Sequence, residues 1–176
     1  EGFVFCCFNN NHKILPETFD SWMRILKAVE GSVLWLYQDN PWVVDSLKTK
    51  ALHHGVNENS LVFAEYMSLA EHLARHRQAD LFLDTWPYNA GTTAVDALWA
   101  GLPVLTKAGV SSGARMATSA LHAIEMPELI ASNQEEYKNL AIKFANDDKY
   151  LKLIKNKLQH NILTTKLFDP VGNTKD

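Results

Sequence analysis

Residues Ala79-Asp-Leu-Phe-Leu-Asp-Thr-Trp-Pro-Tyr-Asn-Ala-Gly-Thr-Thr-Ala-Val-Asp-Ala-Leu-Trp-Ala-Gly101 divide into three parts. Ala79–Asp84 is an apolar run of strand length, Thr85–Gly91 is a polar loop containing a proline, and Thr92–Ala100 reads as a helix stopped by Gly101. A strand that passes through such a loop into a helix is the βα unit of a parallel sheet. The alternation continues in both directions. Downstream come a strand at Pro103–Thr106, the loop Lys107–Gly113 and a helix carrying Arg115 and His122. Upstream, the strand Leu61–Phe63 leads to Ser68 and Glu71, a capping box that opens a helix with His72, Arg75 and His76. Before it, Ser32–Tyr37 is a strand, followed by the turn residues Asp39, Asn40 and Pro41 and a helix over Trp42–His54 that Gly55 ends.

At the amino end, Phe3–Phe8 is apolar throughout, the pattern of a strand covered on both faces. Pro16 opens the helix behind it, with Phe19, Trp22, Met23 and Leu26 along one side. The carboxyl end is helical. A second capping box at Ser132 and Glu135 starts a helix with Tyr137, Leu140, Ala141 and Phe144 on one face, and Asp147-Asp148 separates it from a helix over Tyr150–Ile162. The expected fold is α/β, a Rossmann-like doubly wound parallel sheet of about five strands in the order 3-2-1-4-5, flanked by helices. Residues 1–168 form one lobe and 169–176 a frayed tail.

Of the 176 residues, 47% are hydrophobic and 21% charged, and 17 Lys+Arg against 20 Asp+Glu leave a net charge of −3. Such a chain can bury a core without disulfides or metals. With no Lys/Arg stripe, neither a nucleic acid nor a membrane is an expected partner. No apolar run approaches the roughly 18 residues of a membrane span, and the first residues lack the plan of a signal peptide. Cys6 and Cys7 are adjacent on a strand, so they point to opposite faces and read as reduced core residues. The expected compartment is the cytoplasm. The chain opens at Glu1, two residues before an apolar strand, as an excised domain would.

In an open doubly wound sheet, ligands bind outside the carboxyl ends of the strands where the strand order reverses. Here that point lies between strands one and four, flanked by the loops Asn9–Lys13 and Pro87–Thr93. Gly91-Thr92-Thr93 stands at a helix start, where free N–H groups and the helix dipole favour an anion. Lys13 reaches from across the crevice, and Asp96, at i+4 from Thr92, suits a ribose diol. The same residues also suit a blander reading, with a threonine as N-cap, Asp96 solvated and Lys13 a surface charge. Neither G-x-G-x-x-G nor G-x-x-x-x-G-K-[ST] occurs, and no G-x-S-x-G elbow marks a hydrolase. His72 and His76 have the spacing of a zinc pair but lack the glutamate of H-E-x-x-H, and with Arg75 they read as a polar helix face. Trp22, Trp35, Trp42 and Trp99 read as core or rim residues, whereas Trp86 and Tyr88 are placed to touch a ligand.

The segments Ser32–Leu36, Gln78–Thr85, Gly91–Gly101 and Glu128–Ala131 resemble, in order, the carboxyl-terminal catalytic region of the O-GlcNAc transferase and SPINDLY-like family. That resemblance implies the second lobe of a GT-B glycosyltransferase, an inverting and metal-independent enzyme without a permanently bound cofactor. The implied donor is UDP-GlcNAc and the acceptor a protein Ser or Thr. It further implies an amino-terminal catalytic lobe and a tetratricopeptide superhelix, absent here, as partners. Lys13 then matches the lysine on the donor diphosphate, Asn10 a glutamine reaching the donor, and His72 and Arg75 residues near the nucleobase. Thr92 and Thr93 match the pyrophosphate threonines and Asp96 the ribose carboxylate. Three positions depart from the family: Asn10 is shorter than the glutamine, Gly91 replaces a histidine of the animal enzyme, and Tyr88 stands at a cysteine position near the sugar. The departures keep GDP-fucose or UDP-glucose as alternative donors and a non-catalytic nucleotide-binding or interaction module as an alternative function. The family's final helix is also cut short, and the isolated lobe is expected to bind nucleotide weakly and to catalyse nothing.

Overall fold

A computed structural model describes residues 2–168. Its strands are β1 (Val4–Cys7), β2 (Val33–Tyr37), β3 (Leu61–Ala64), β4 (Leu81–Leu83), β5 (Val104–Lys107) and β6 (Ile130–Ala131). They form one sheet in the order β3-β2-β1-β4-β5-β6, with every neighbouring pair parallel. The expected order of the first five strands is therefore present. The sixth strand corrects the count of about five: two residues pairing with Thr106 and Lys107 are too short to show a pattern of their own.

The helices are α1 (Pro16–Ala28), α2 (Pro41–His53), α3 (Leu69–His76), α4 (Thr92–Trp99), α5 (Met116–Ala123), α6 (Gln134–Asn146) and α7 (Asp148–Thr164). Pro16 occupies the first turn of α1, where its missing N–H costs nothing, and Phe19, Trp22, Met23 and Leu26 are all buried. Gly55 and Gly101 end α2 and α4 with φ of 70° and 84°, a region a side chain would strain. The Ser68–Glu71 capping box is formed in both directions.

The second capping box is displaced by one residue. Asn133 caps α6 by accepting from the Glu136 N–H, while the Ser132 N–H and hydroxyl both donate to the Glu136 carboxylate. Glu135 instead pairs with Lys138 at 2.7 Å. Asn is at least as good an N-cap as Ser, so the adjacent residue takes the position. Tyr137, Ala141 and Phe144 of α6 are buried as expected, and Leu140 packs against the core at their edge. The expected frayed tail at 169–176 lies outside the described residues.

Cys6 and Cys7 are free, fully buried thiols, and burial pushes both well above the usual thiol range. The fully buried Trp22 and Tyr137 tie α1 and α6 to the sheet. The indole N–H donates to the Tyr137 hydroxyl at 3.1 Å, and that hydroxyl donates to the Asp84 carbonyl at 2.9 Å. The chain is thus anchored at the residue where β4 gives way to its loop.

Candidate functional site

All six strands run the same way, so every strand-to-helix loop emerges at one edge of the sheet. β1 and β4 are neighbours, yet their following helices belong to the two opposite directions of winding, which opens a crevice between the loops. Asn9 and Asp84 close its floor. Asn9 is 1% exposed, and its amide donates to Asp84 Oδ1 at 3.2 Å and to the Thr85 hydroxyl at 2.9 Å. Its carbonyl accepts from the Thr93 hydroxyl at 2.5 Å, a bond between residues 84 positions apart. Asp84, fully buried, also accepts from the Thr85 N–H at 2.8 Å, the Ala90 N–H at 2.7 Å and the Thr106 hydroxyl at 2.6 Å. Burial pushes its carboxyl up to about 6, against the pull of these donors.

Neither Asn9 nor Asp84 is among the residues the sequence singled out. The available signal was Asp84 itself, a carboxylate ending a strand that is otherwise apolar. The blander reading of the threonines does not hold: Gly91 is the N-cap of α4 and no side chain caps it. Thr93 spends its hydroxyl on Asn9. The first N–H groups of α4 therefore have no side-chain acceptor among the described residues and face the crevice edge with the positive end of the dipole. A Cβ at Gly91 would lie 2.4 Å from the end of the Met116 side chain, so this position is crowded but by a flexible neighbour.

Lys13 closes a short 3-10 turn, Asn11–Lys13, whose first bond comes from Asn10: its Oδ1 accepts from the His12 N–H and from the His12 ring. The Lys13 ammonium donates to the Asn89 carbonyl at 3.1 Å. Lys13 is thereby brought to the loop that precedes α4, as the sequence suggested. The loop passes through a cis Trp86–Pro87 peptide. Asn89 is wholly buried, and its own Oδ1 has no partner among the described residues.

On the other side of Thr93 a cleft of about 390 Å³ opens, lined by Phe8, Asn10, Tyr37, His72 and Arg75 among others. Thus the structure brings Asn10, His72, Arg75 and Thr93 to one cavity, whose lining does not include Lys13, Gly91, Thr92 or Asp96. Asp96, one turn into α4, is near enough to His72 to act on its charge. His72 is held below the usual imidazole range, first by burial and then by Arg75, with Asp96 opposing. A neutral ring there offers one donor and one acceptor. A larger hollow, about 600 Å³ beside Trp99 and Lys155, lies at the opposite edge of the sheet, where α4 ends and offers carbonyls rather than N–H groups.

The expected polar face on α3 is corrected by the structure. His76 is fully buried and Arg75 is 3% exposed, because Phe8 packs against both: its ring centroid is 5.0 Å from the His76 ring and 5.2 Å from the Arg75 guanidinium. Arg75 donates to the Glu65 carbonyl at 3.0 Å, and the His76 ring donates from Nδ1 to the His72 carbonyl at 2.7 Å. Among the described residues no group of three or more His, Cys, Asp or Glu side chains could hold a metal ion.

Burial, with Arg75 nearby adding to it, holds His76 down to about 4 against the pull of its bond to the His72 carbonyl. Between that value and about 6.5, the unfolded chain takes up a proton that the fold refuses, so stability falls as the pH drops through this window. Asp84 has the opposite sign. Its folded pKa is above the unfolded value of about 3.9, so its contribution falls as the pH rises through 6. Each amounts to about 2 kcal/mol between pH 6.5 and 4.5, and the two nearly cancel. In His76→Asn the Asp84 slope is expected to be opposed only by that of His72 among the histidines held low, so stability falls less on acidification than in the wild type. Urea midpoints measured across it check this, and a profile parallel to the wild type would refute it.

The family model described as glycosyl transferase family 41 matches residues 1–176. The chain belongs to glycosyl transferase family 41. A Caenorhabditis elegans UDP-N-acetylglucosamine–peptide N-acetylglucosaminyltransferase is 34% identical over 96% of this family 41 chain, and the Arabidopsis thaliana relative SEC, described as a probable transferase of the same kind, is 34% identical over 100% of this chain. A mutant of the Thermobaculum terrenum O-GlcNAc transferase superposes with a TM-score of 0.90 and 30% identity over 96% of the chain. Sucrose-phosphate synthase of Thermosynechococcus elongatus, 13% identical with a TM-score of 0.71, shares the fold. This family 41 chain spans 15% and 18% of the length of the two curated relatives and 33% of the Thermobaculum chain. No described helix is long and apolar enough to cross a membrane.

Proposed function

We propose that this chain is the donor-binding lobe of an inverting, metal-independent glycosyltransferase that moves N-acetylglucosamine from UDP-GlcNAc to serine or threonine of protein acceptors. The observation that carries the reading is the start of α4: an N-terminus without a side-chain cap, with Lys13 from the facing loop held at the Asn89 carbonyl, two residues before the Gly91 N-cap. An uncapped N-terminus offers N–H donors and positive potential to an anion, and the lysine adds a full charge. In glycosyl transfer, negative charge grows on the departing diphosphate, and donors already in place stabilise that charge without reorganising. Lys13, with the Thr92 and Thr93 N–H groups, has this role. The base lies in the cleft by Asn10, His72 and Arg75, the ribose against Asp96, and Gly91, the N-cap without a capping side chain, leaves the first N–H groups of α4 to the phosphates.

The acceptor is delivered by parts of the parent outside this chain, an amino-terminal lobe and tetratricopeptide repeats, in the cytoplasm. The relatives named for UDP-N-acetylglucosamine support the sugar assignment, and they are several times longer than this chain. No group is held permanently. A second reading, a nucleotide-binding module without chemistry, draws on the present position of Lys13, which is spent on the loop's own carbonyl.

The test is a protein-observed NMR titration with UDP, GDP and pyrophosphate, repeated on Asp96→Asn. Saturable UDP shifts centred on residues 9–13 and 91–96 are expected. The substitution removes a ribose acceptor and should weaken UDP by about tenfold while leaving pyrophosphate within about twofold. Equal losses for both ligands would remove Asp96 from the ribose. A preference for GDP would move the donor to GDP-fucose, and no response to any of the three would refute donor binding by this chain.

A further inference from the structure

Tyr88 is 52% exposed, yet its surroundings fix it. The Lys13 ammonium lies 4.5 Å from the centre of its ring. Its carbonyl accepts from the Thr85 hydroxyl at 2.7 Å, which pins the backbone beneath the ring. On the loop between β5 and α5, a Cβ at Gly113 would come within 3.1 Å of two of the ring's carbons, so the ring rests against that glycine. The next residue, Asn89, donates its N–H to the Gly113 carbonyl at 2.8 Å while its own carbonyl holds Lys13. The far loop is itself closed: Gly109 N–H donates to the Ala114 carbonyl at 3.0 Å and Arg115 to the Gly109 carbonyl at 3.0 Å. A folded loop from β5 thus supports both groups that hold the lysine.

We propose that Tyr88 is a positioning residue for Lys13, and that through Gly113 it makes the β5–α5 loop part of the anion site. This inference rests on the donor-site reading. A lysine has four rotatable side-chain bonds, and fixing them is among the larger side-chain entropy costs of ordering. An aromatic face and a carbonyl that hold the ammonium before the ligand arrives remove part of that cost from binding. The contribution comes from the ring face, so the phenolic hydroxyl is dispensable and the aromatic ring is not.

Two measurements test it. The first needs no ligand: ring current should displace the Lys13 ε-methylene proton resonance in the wild type, Tyr88→Leu should abolish the displacement, and Tyr88→Phe should restore it. An undisplaced resonance in the wild type would overturn the inference. The second is pyrophosphate affinity. Tyr88→Leu should weaken it about three- to fivefold, with Tyr88→Phe restoring it, and Gly113→Ala should weaken it through the displaced ring. In a Lys13→Met background, Tyr88→Leu should change nothing further, since a residue acting through the lysine has nothing left to position. Tighter binding in Tyr88→Leu, or an equal loss in the Lys13→Met background, would overturn the proposal. Absence of pyrophosphate binding in a wild type whose Lys13 resonance is displaced would refute the donor reading alone.

Discussion

Asp84→Ala is expected to lower the stability of the chain by about 3 kcal/mol and its melting temperature by about 10 °C. The carboxylate accepts from two backbone N–H groups, the Asn9 amide and the Thr106 hydroxyl, all in a region closed to water. Removing it leaves these donors buried without an acceptor, at about 1–3 kcal/mol each when nothing relaxes. The losses do not add in full, because burying the carboxylate is itself costly and that cost disappears with it. The damage should be local as well as global. Ala90, one residue before Gly91, should lose its amide protection against hydrogen exchange more than the strands do. A melting temperature within about 2 °C of the wild type would mean that water or a rearranged loop replaces the carboxylate.

Lys13→Ala is expected to do the reverse, leaving stability within about 0.5 kcal/mol and weakening pyrophosphate by about 30-fold. Its hydrogen bond goes to a loop carbonyl and its ring contact to a half-exposed tyrosine, so the fold loses little. A diphosphate loses a full positive charge beside the helix N-terminus, and a charged hydrogen bond is worth about 2 kcal/mol there. Calorimetry on the two proteins, with thermal melts as a control, measures both. Unchanged affinity for UDP and pyrophosphate would sink the role assigned to Lys13.

Much of the architecture could be read along the chain because it depends on neighbours in sequence. Pro16 with the Phe19–Leu26 stripe, the Ser68–Glu71 box and the glycine stops at 55 and 101 are local devices, and each stands where its pattern placed it. The loops around Lys13 and Gly91–Asp96 followed from strand order alone. What escaped was set by tertiary contact. Asn9 and Asp84 are 75 residues apart, and nothing near either announces the other. His76 looked polar because its burial depends on Phe8, the residue that follows β1, distant in sequence from α3. β6 exists because β5 offers it an edge, and Asn133 displaced Ser132 as a cap by a single position, finer than composition resolves.

Among the strands of this sheet β1 is made before the others, and it sits between β2 and β4 in the finished sheet. Its pairing with β2 joins residues about 29 positions apart, as Val4 and Val33 show, whereas its pairing with β4 joins Phe5 to Leu81. During synthesis, therefore, one edge of an all-apolar strand waits for most of half the chain before its partner arrives. Closing so long a loop is entropically slow, and an unpaired apolar strand edge invites wrong partners in the meantime. The same central placement that builds the crevice between β1 and β4 makes the nascent chain dependent on whatever shields β1 until β4 has left the ribosome.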